Sequence, residues 1–301
     1  MEQLVHKHTE IRQHSMAIYD MVIANADVVY TAGADKFIVR WKLDLGIQDN
    51  FTIKADFPVY SLELIRNEII SIGLNNGHLH FIDVVQKQEL KFYTQHKSAI
   101  FSQLHLTQHN LLLTGDAEGY LAVWDTHSYK LQLFIPLACG KIRSIAANHD
   151  ESRIAVGGQD GIIRVFETTY FNEINRFFAH NDGVSSLAFE PHQSTKLVSG
   201  GKDGYLRIWN SDSGEKIKAI PAHHYAIYGI CFNSTGTYFA TCSRDKSIKI
   251  WENASYSVLQ KLEAKQGGHT HSVNSIKWID QYLISCGDDR RLIRWKLDNL
   301  R

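Results

Sequence analysis

Histidine, a hydroxyl residue, aspartate and tryptophan stand in register at four places in this 301-residue chain. The sets are His14, Thr31, Asp35 and Trp41; His180, Ser199, Asp203 and Trp209; His223, Thr241, Asp245 and Trp251; and His269, Ser285, Asp289 and Trp295. A fifth set, His96, Thr114, Glu118 and Trp124, carries Glu in the acidic place. Hydroxyl, imidazole and carboxylate are the parts of a nucleophilic triad, in which the base takes the hydroxyl proton and the acid orients the base. Repetition argues against that chemistry, because a nucleophile is needed once and a fastener is needed in every repeat.

Other reactive arrangements are weaker. His223-His224 and His269-Thr270-His271 offer pairs of metal ligands, but the first histidine of each pair already belongs to a recurring set. The four cysteines, Cys139, Cys231, Cys242 and Cys286, have no CxxC spacing and match no zinc site, so no metal and no cofactor is expected. Cys231, Cys242 and Cys286 lie in β-rich phrases and read as free, buried thiols. GGQDG and GGKDG recur at one register and are bends, not a phosphate-binding loop.

Charge is balanced, with 32 Lys plus Arg against 32 Asp plus Glu, and the pI is about 7.3. That balance argues against nucleic acid and acidic membranes as partners. No apolar run approaches a membrane span, and the start, MEQLVHKHTEIRQ, lacks the apolar core of a signal peptide. A cytoplasmic protein is expected.

The elements that position these side chains follow from one period. Trp41, Ile82, Trp124, Phe166, Trp209, Trp251 and Trp295 are spaced 41 to 44 residues apart. Such a period, built of short β-rich phrases, is the signature of a propeller with four strands per blade. In residues 180–222, GVSSLAF reads as the innermost strand, KLVSGG as the second, YLRIW as the third and KIKAI as the fourth, with a Lys202-Asp203-Gly204 bend between the second and third. The fold class is therefore all-β: one seven-bladed propeller over 1–301, each blade a four-stranded antiparallel sheet. The blades fall at approximately 14–54, 55–95, 96–137, 138–179, 180–222, 223–268 and 269–301. Only six residues follow Trp295, too few for a fourth strand, so residues 3–12 are expected to complete the last blade. An insertion around Lys265-Gln266-Gly267-Gly268 lengthens the loop before that blade.

These phrases and sets resemble the WD-repeat (WD40) family over essentially the whole chain. The resemblance implies that His, Ser or Thr, Asp and Trp of each blade form a buried tetrad. Indole donates to the hydroxyl, the hydroxyl to imidazole, and the other imidazole nitrogen to the carboxylate, so every member is satisfied. Two blades depart from the pattern: Ala55, Ile72, Asn76 and Ile82 stand at the four places of the second, and Ala138, Val156, Asp160 and Phe166 at those of the fourth. In both, apolar packing is expected to replace the polar network, with looser upper loops.

The resemblance also implies that the residue five after each His place points to the top mouth of the central channel. Those residues are Tyr19, Tyr60, Phe101, Arg143, Ser185, Tyr228 and Asn274. The residues before each tetrad acid face the same surface: Ala34, Asn75, Ala117, Gln159, Lys202, Arg244 and Asp288. Tyr19, Tyr60 and Phe101 form an aromatic arc; Lys141, Arg143, Lys202 and Arg244 form a basic one, and Tyr228 adds a further aromatic. Aromatics and Arg are the usual binding hot spots. The expected function is a monomeric, non-catalytic interaction scaffold that binds a peptide or loop of a partner protein on the top face. The alternatives are a propeller enzyme with a metal at the channel, for which only Asn274 and Asp288 are suitable donors, and a nucleic-acid-binding module.

Overall fold

The computed structural model describes residues 4–66 and 68–298. It contains seven four-stranded antiparallel sheets. Six are built from consecutive strands, as in Val184–Phe189, Lys196–Gly201, Tyr205–Asn210 and Lys216–Pro221. The inner strands (Ile18–Ile23, Val59–Ile65, Ile100–Leu106, Ser144–Ala147, Val184–Phe189, Ile227–Phe232 and Val273–Ile279) each pack on the next, and the last packs on the first. The ring is closed.

Burial explains the pattern along each strand. Second strands such as Ile69–Leu74 and Leu111–Asp116 are buried at every position, because a neighbouring blade covers each face. Outer strands such as Glu173–Phe178 alternate, with one face on the blade and one in water. The core lies between blades: Trp41 packs with Ile284, Cys286 and Leu292 of the last blade, and Trp209 with Ala155, Ile163 and Val165 of the fourth. All four cysteines are free, and burial raises their thiols, Cys139 to about 11 and Cys231 to about 12.

The N-terminal strand Val5–Ile11 is the outer strand of the last sheet, paired antiparallel with Leu292–Leu297 from Val5↔Leu297 to Ile11↔Leu292. Residues 1–3 and 299–301, at the ends of the expected closing segments, lie outside the described residues. Arg291 ties the closure together. Its guanidinium donates to Glu10 at 3.0 and 2.5 Å and to the carbonyls of Gly268 and Gly267 in the inserted loop at 2.6 and 2.9 Å. Burial pushes Glu10 up, but Arg291, Arg12 and Lys7 outweigh it and hold the carboxyl at about 2. Gln260 of the sixth blade adds a stitch, accepting from Val5 N at 2.8 Å and donating to its carbonyl at 2.7 Å.

Candidate functional site

Each complete tetrad is a closed chain of hydrogen bonds. In the first blade Trp41 Nε1 donates to Thr31 Oγ1 (2.6 Å), Thr31 meets His14 Nε2 (2.7 Å), and His14 Nδ1 meets Asp35 (2.8 Å). Because the hydroxyl spends its proton on Nε2, the imidazole carries its own proton on Nδ1, toward the carboxylate. His180, Ser199, Asp203 and Trp209 repeat this at 2.8, 2.8 and 3.0 Å. His223, Thr241, Asp245 and Trp251 do so at 2.9, 2.8 and 2.9 Å, and His269, Ser285, Asp289 and Trp295 at 2.9, 2.8 and 2.8 Å. Burial pushes Asp203 up, but His180 and Arg207 outweigh it and hold it at about 2. Burial lowers His180 and His223 and keeps their rings neutral.

The third blade corrects the sequence reading. His96 meets Thr114 at 2.7 Å and Trp124 donates to Thr114 at 2.9 Å, but the acid on His96 Nδ1 is Asp116, at 2.7 Å. Glu118 is exposed and only its backbone takes part, donating to Asp116 at 3.0 Å. The reason is space. In the four complete tetrad blades the place of Asp116 is held by Gly33, Gly201, Gly287 or the small Ser243. A Cβ on Gly201 would lie 2.1 Å from His180 Nδ1 and 2.5 Å from Asp203 Oδ1. A carboxylate rooted there occupies the site that the bend's Asp reaches elsewhere.

The second blade does use apolar packing, with Ala55, Ile72 and Ile82 in one cluster. The fourth departs from expectation. Val156 and Phe166 are in the core, yet Asp160 is bound by the buried Arg164 at 3.3 and 2.7 Å and accepts from Ile162 N at 3.1 Å. Its upper bend is therefore held by an ion pair, not by packing alone.

The residues counted to the channel mouth share one backbone feature. In six inner strands the pairing skips that residue: Tyr19, Tyr60, Phe101, Ser185, Tyr228 and Asn274 each sit in a register shift. A bulge re-aims its side chain, here from the sheet to the lumen. Arg143 precedes the short strand Ser144–Ala147 and reaches the same place. All seven, with Lys141 and Asp288, line one channel of about 580 Å³. Lys202 and Arg244 do not line it; Arg244 lies over the exposed Tyr225 ring, 5.9 Å from its centre. The basic arc expected from sequence thus narrows to Lys141 and Arg143.

At the mouth the rings of Tyr19 and Tyr60 are 5.0 Å apart, as are those of Tyr60 and Phe101. The arc ends on Arg143, whose guanidinium sits 4.3 Å from the Phe101 centre, with Lys141 at 5.8 Å. Burial lowers the Arg143 pKa, and the neighbouring Tyr228 and Tyr60 offset that only in part. Ser185 is turned to structure, donating to Gly200 O and Ile227 O at 3.0 and 2.7 Å. Asn274 likewise donates to Ile18 O and Asp288, both at 2.8 Å. Deeper in the lumen lie Glu63, raised by burial to about 7, and Lys277, which burial lowers but Asp20 and Glu63 raise further. Among the described residues no group of three His, Cys, Asp or Glu is placed to hold a metal, and no helix is long and apolar enough to cross a membrane.

Sequence reasoning missed a second ring. Six residues after each His place stand Asp20, Ser61, Ser102, Ser144, Ser186, Gly229 and Ser275. Asp20 accepts from Leu62 N (2.9 Å), Ser102 from Ile145 N (3.1 Å) and Ser144 from Leu187 N (2.9 Å), each in the next blade. Ser61 and Ser186 donate to Ile100 O and Ile227 O at 2.9 and 3.0 Å, and Ser275 donates to Asp20 at 3.1 Å. These bonds hold the inner strands in register around the lumen. The recurrence of small polar residues at this place was the available signal.

Comparison with known proteins agrees with this architecture. The family described as WD domain, G-beta repeat matches residues 135–167, 171–210, 214–252 and 260–296. The chain belongs to the WD-repeat family. Among WD-repeat relatives, Protein HIRA of Dictyostelium discoideum is 38% identical over 85 residues, 25% of this chain and 8% of that protein. The GATOR2 complex protein Wdr24 of Drosophila melanogaster is 36% identical over 147 residues, 47% of this chain and 19% of that protein. Both matches therefore span a small part of the relative's length. The Target of rapamycin complex subunit LST8 of Bos taurus is 21% identical over 264 residues, covering 83% of this chain and 80% of that protein.

Proposed function

We propose that this WD-repeat propeller is a non-catalytic interaction platform, monomeric and cytoplasmic, that receives a peptide or loop of a partner protein at the top mouth of its channel. One observation carries the reading: the aromatic arc Tyr19–Tyr60–Phe101 ends on the Arg143 cation, which pairs with no acid among the described residues. A bulky apolar side chain covers the rings while an acidic group meets Arg143 and Lys141. Bulges on a closed ring fix these side chains before binding, so little ordering cost falls on the protein's side. Two relatives named as complex proteins, Wdr24 and LST8, support the general class of role.

The test is affinity capture with wild type, Tyr60→Ala/Phe101→Ala and Arg143→Glu, each checked for an unchanged melting temperature. Loss of the same captured partner in both variants is expected. Undiminished capture in both would move the site elsewhere.

A further inference from the structure

We infer that the acidic group received at the mouth is a phosphate monoester on a partner's side chain, held jointly by Arg143 and Lys141. This rests on the docking reading above and narrows it to one ligand chemistry.

Arg164, Arg207, Arg291 and Arg40 each pair with a carboxylate. Among the described residues no acid pairs with Arg143 or Lys141; their company is the Phe101 ring they share, at 4.3 and 5.8 Å. The acid at the mouth, Asp288, is on the last blade and accepts from Asn274 at 2.8 Å. Two neighbouring cations thus face the lumen with no acid paired to either among the described residues. A carboxylate brings one negative charge and two oxygens, whereas a phosphate monoester brings about −1.5 to −2 and three strong acceptor oxygens near neutral pH.

The donor set fits the same group. Beside the guanidinium fork and the ammonium, the phenols of Tyr60 and Tyr228 line the same channel. All four groups can donate hydrogen bonds to an anion that enters it. Burial against Phe101 makes the bare guanidinium costly, and an arriving dianion removes that cost. The stacked rings of Tyr60 and Tyr19 continue the wall away from Arg143 and take the apolar part of the ligand.

Saturation-transfer NMR with phenyl phosphate, phenylacetate and O-phosphothreonine tests this on the intact chain. Phenyl phosphate is expected to bind at least tenfold tighter than phenylacetate. Arg143→Ala and Lys141→Ala should each lose about tenfold, the scale of one charged hydrogen bond. Arg143→Lys should recover part of the loss, and Lys202→Ala and Arg244→Ala should bind as wild type. Tighter binding of phenyl phosphate than of O-phosphothreonine identifies phosphotyrosine as the source, and the reverse order identifies phosphoserine or phosphothreonine. Equal binding of phenyl phosphate and phenylacetate, no binding of any phosphate, or unchanged binding by a normally folded Arg143→Ala overturns the inference. If that happens while Tyr60→Ala/Phe101→Ala still loses its captured partner, docking at the mouth stands and the phosphate falls alone.

Discussion

Replacing Asp116 with Ala separates the acid that the structure places on His96 from the Glu118 expected from register. Asp116 and His96 are both fully buried at their side chains. Asp116 takes the His96 Nδ1 proton at 2.7 Å and the backbone N–H groups of Glu118 and Tyr120 at 3.0 and 2.9 Å. Removing it strands one buried imidazole donor, at about 1–3 kcal/mol, and two donors near the rim that water can partly reach, at roughly 0.5–1 kcal/mol each. The expected loss is therefore about 3 kcal/mol. With an unfolding entropy near 2.1 cal/mol/K per residue, a chain of this length loses about 5 °C of melting temperature. Glu118→Ala removes an exposed side chain and should shift melting by less than about 1 °C. Differential scanning calorimetry of the two variants beside wild type decides the matter. A large loss in Glu118→Ala with little in Asp116→Ala would refute the assignment.

Four further outcomes follow from contacts described above. Glu10 is held at about 2 against an ordinary 4.5, so its contribution is complete above pH 4.5 and drains away as pH falls toward 2; Glu10→Gln should flatten that acid limb in pH-dependent melting, and deletion of residues 1–12 should lower melting cooperatively. Glu63 is shifted the other way, to about 7, so the folded chain holds a proton that the unfolded chain releases and stability from this group falls as pH rises from 4.5 through 7; Glu63→Gln should flatten that slope in pH-dependent melting, leaving the contribution of the same sign from the buried Asp20. Trp209→Ala opens a cavity between the fourth and fifth blades and should cost about 3–5 kcal/mol by chemical denaturation, acting through folding. A Trp209→Ala chain that melts like wild type yet loses its partner would contradict the structural role.

The repeat was legible because it is written in large side chains. Trp41, Trp124, Trp209, Trp251 and Trp295 are buried between blades, and with Ile82 and Phe166 at the same places their spacing yields seven sheets; the few residues after Trp295 point to the closing N-terminal strand. Counting from that register also found seven residues that line the channel, since the bulge falls at one place in six of the inner strands. What register cannot show is reach. Asp116 and Glu118 lie two residues apart on a hairpin, and only the contact with His96 Nδ1 tells which carboxylate arrives. Lys202 and Arg244 sit at the right count for the top surface, yet they do not line the channel. Arg164 reads as an ordinary strand residue, yet it binds Asp160 four places before it, as Arg207 binds Asp203. In each case backbone position was readable, and the destination of a long or competing side chain was not.

The central claim is that a partner enters the channel mouth, and site-specific photocrosslinking tests it most directly. A benzophenone amino acid at Phe101 would stand beside Arg143, and the same group at Tyr170, an exposed residue of the fourth blade that does not line the channel, serves as the comparison. The account predicts that the Phe101 probe captures the affinity-purified partner and that the Tyr170 probe does not. Capture from Tyr170 with none from Phe101 would contradict it.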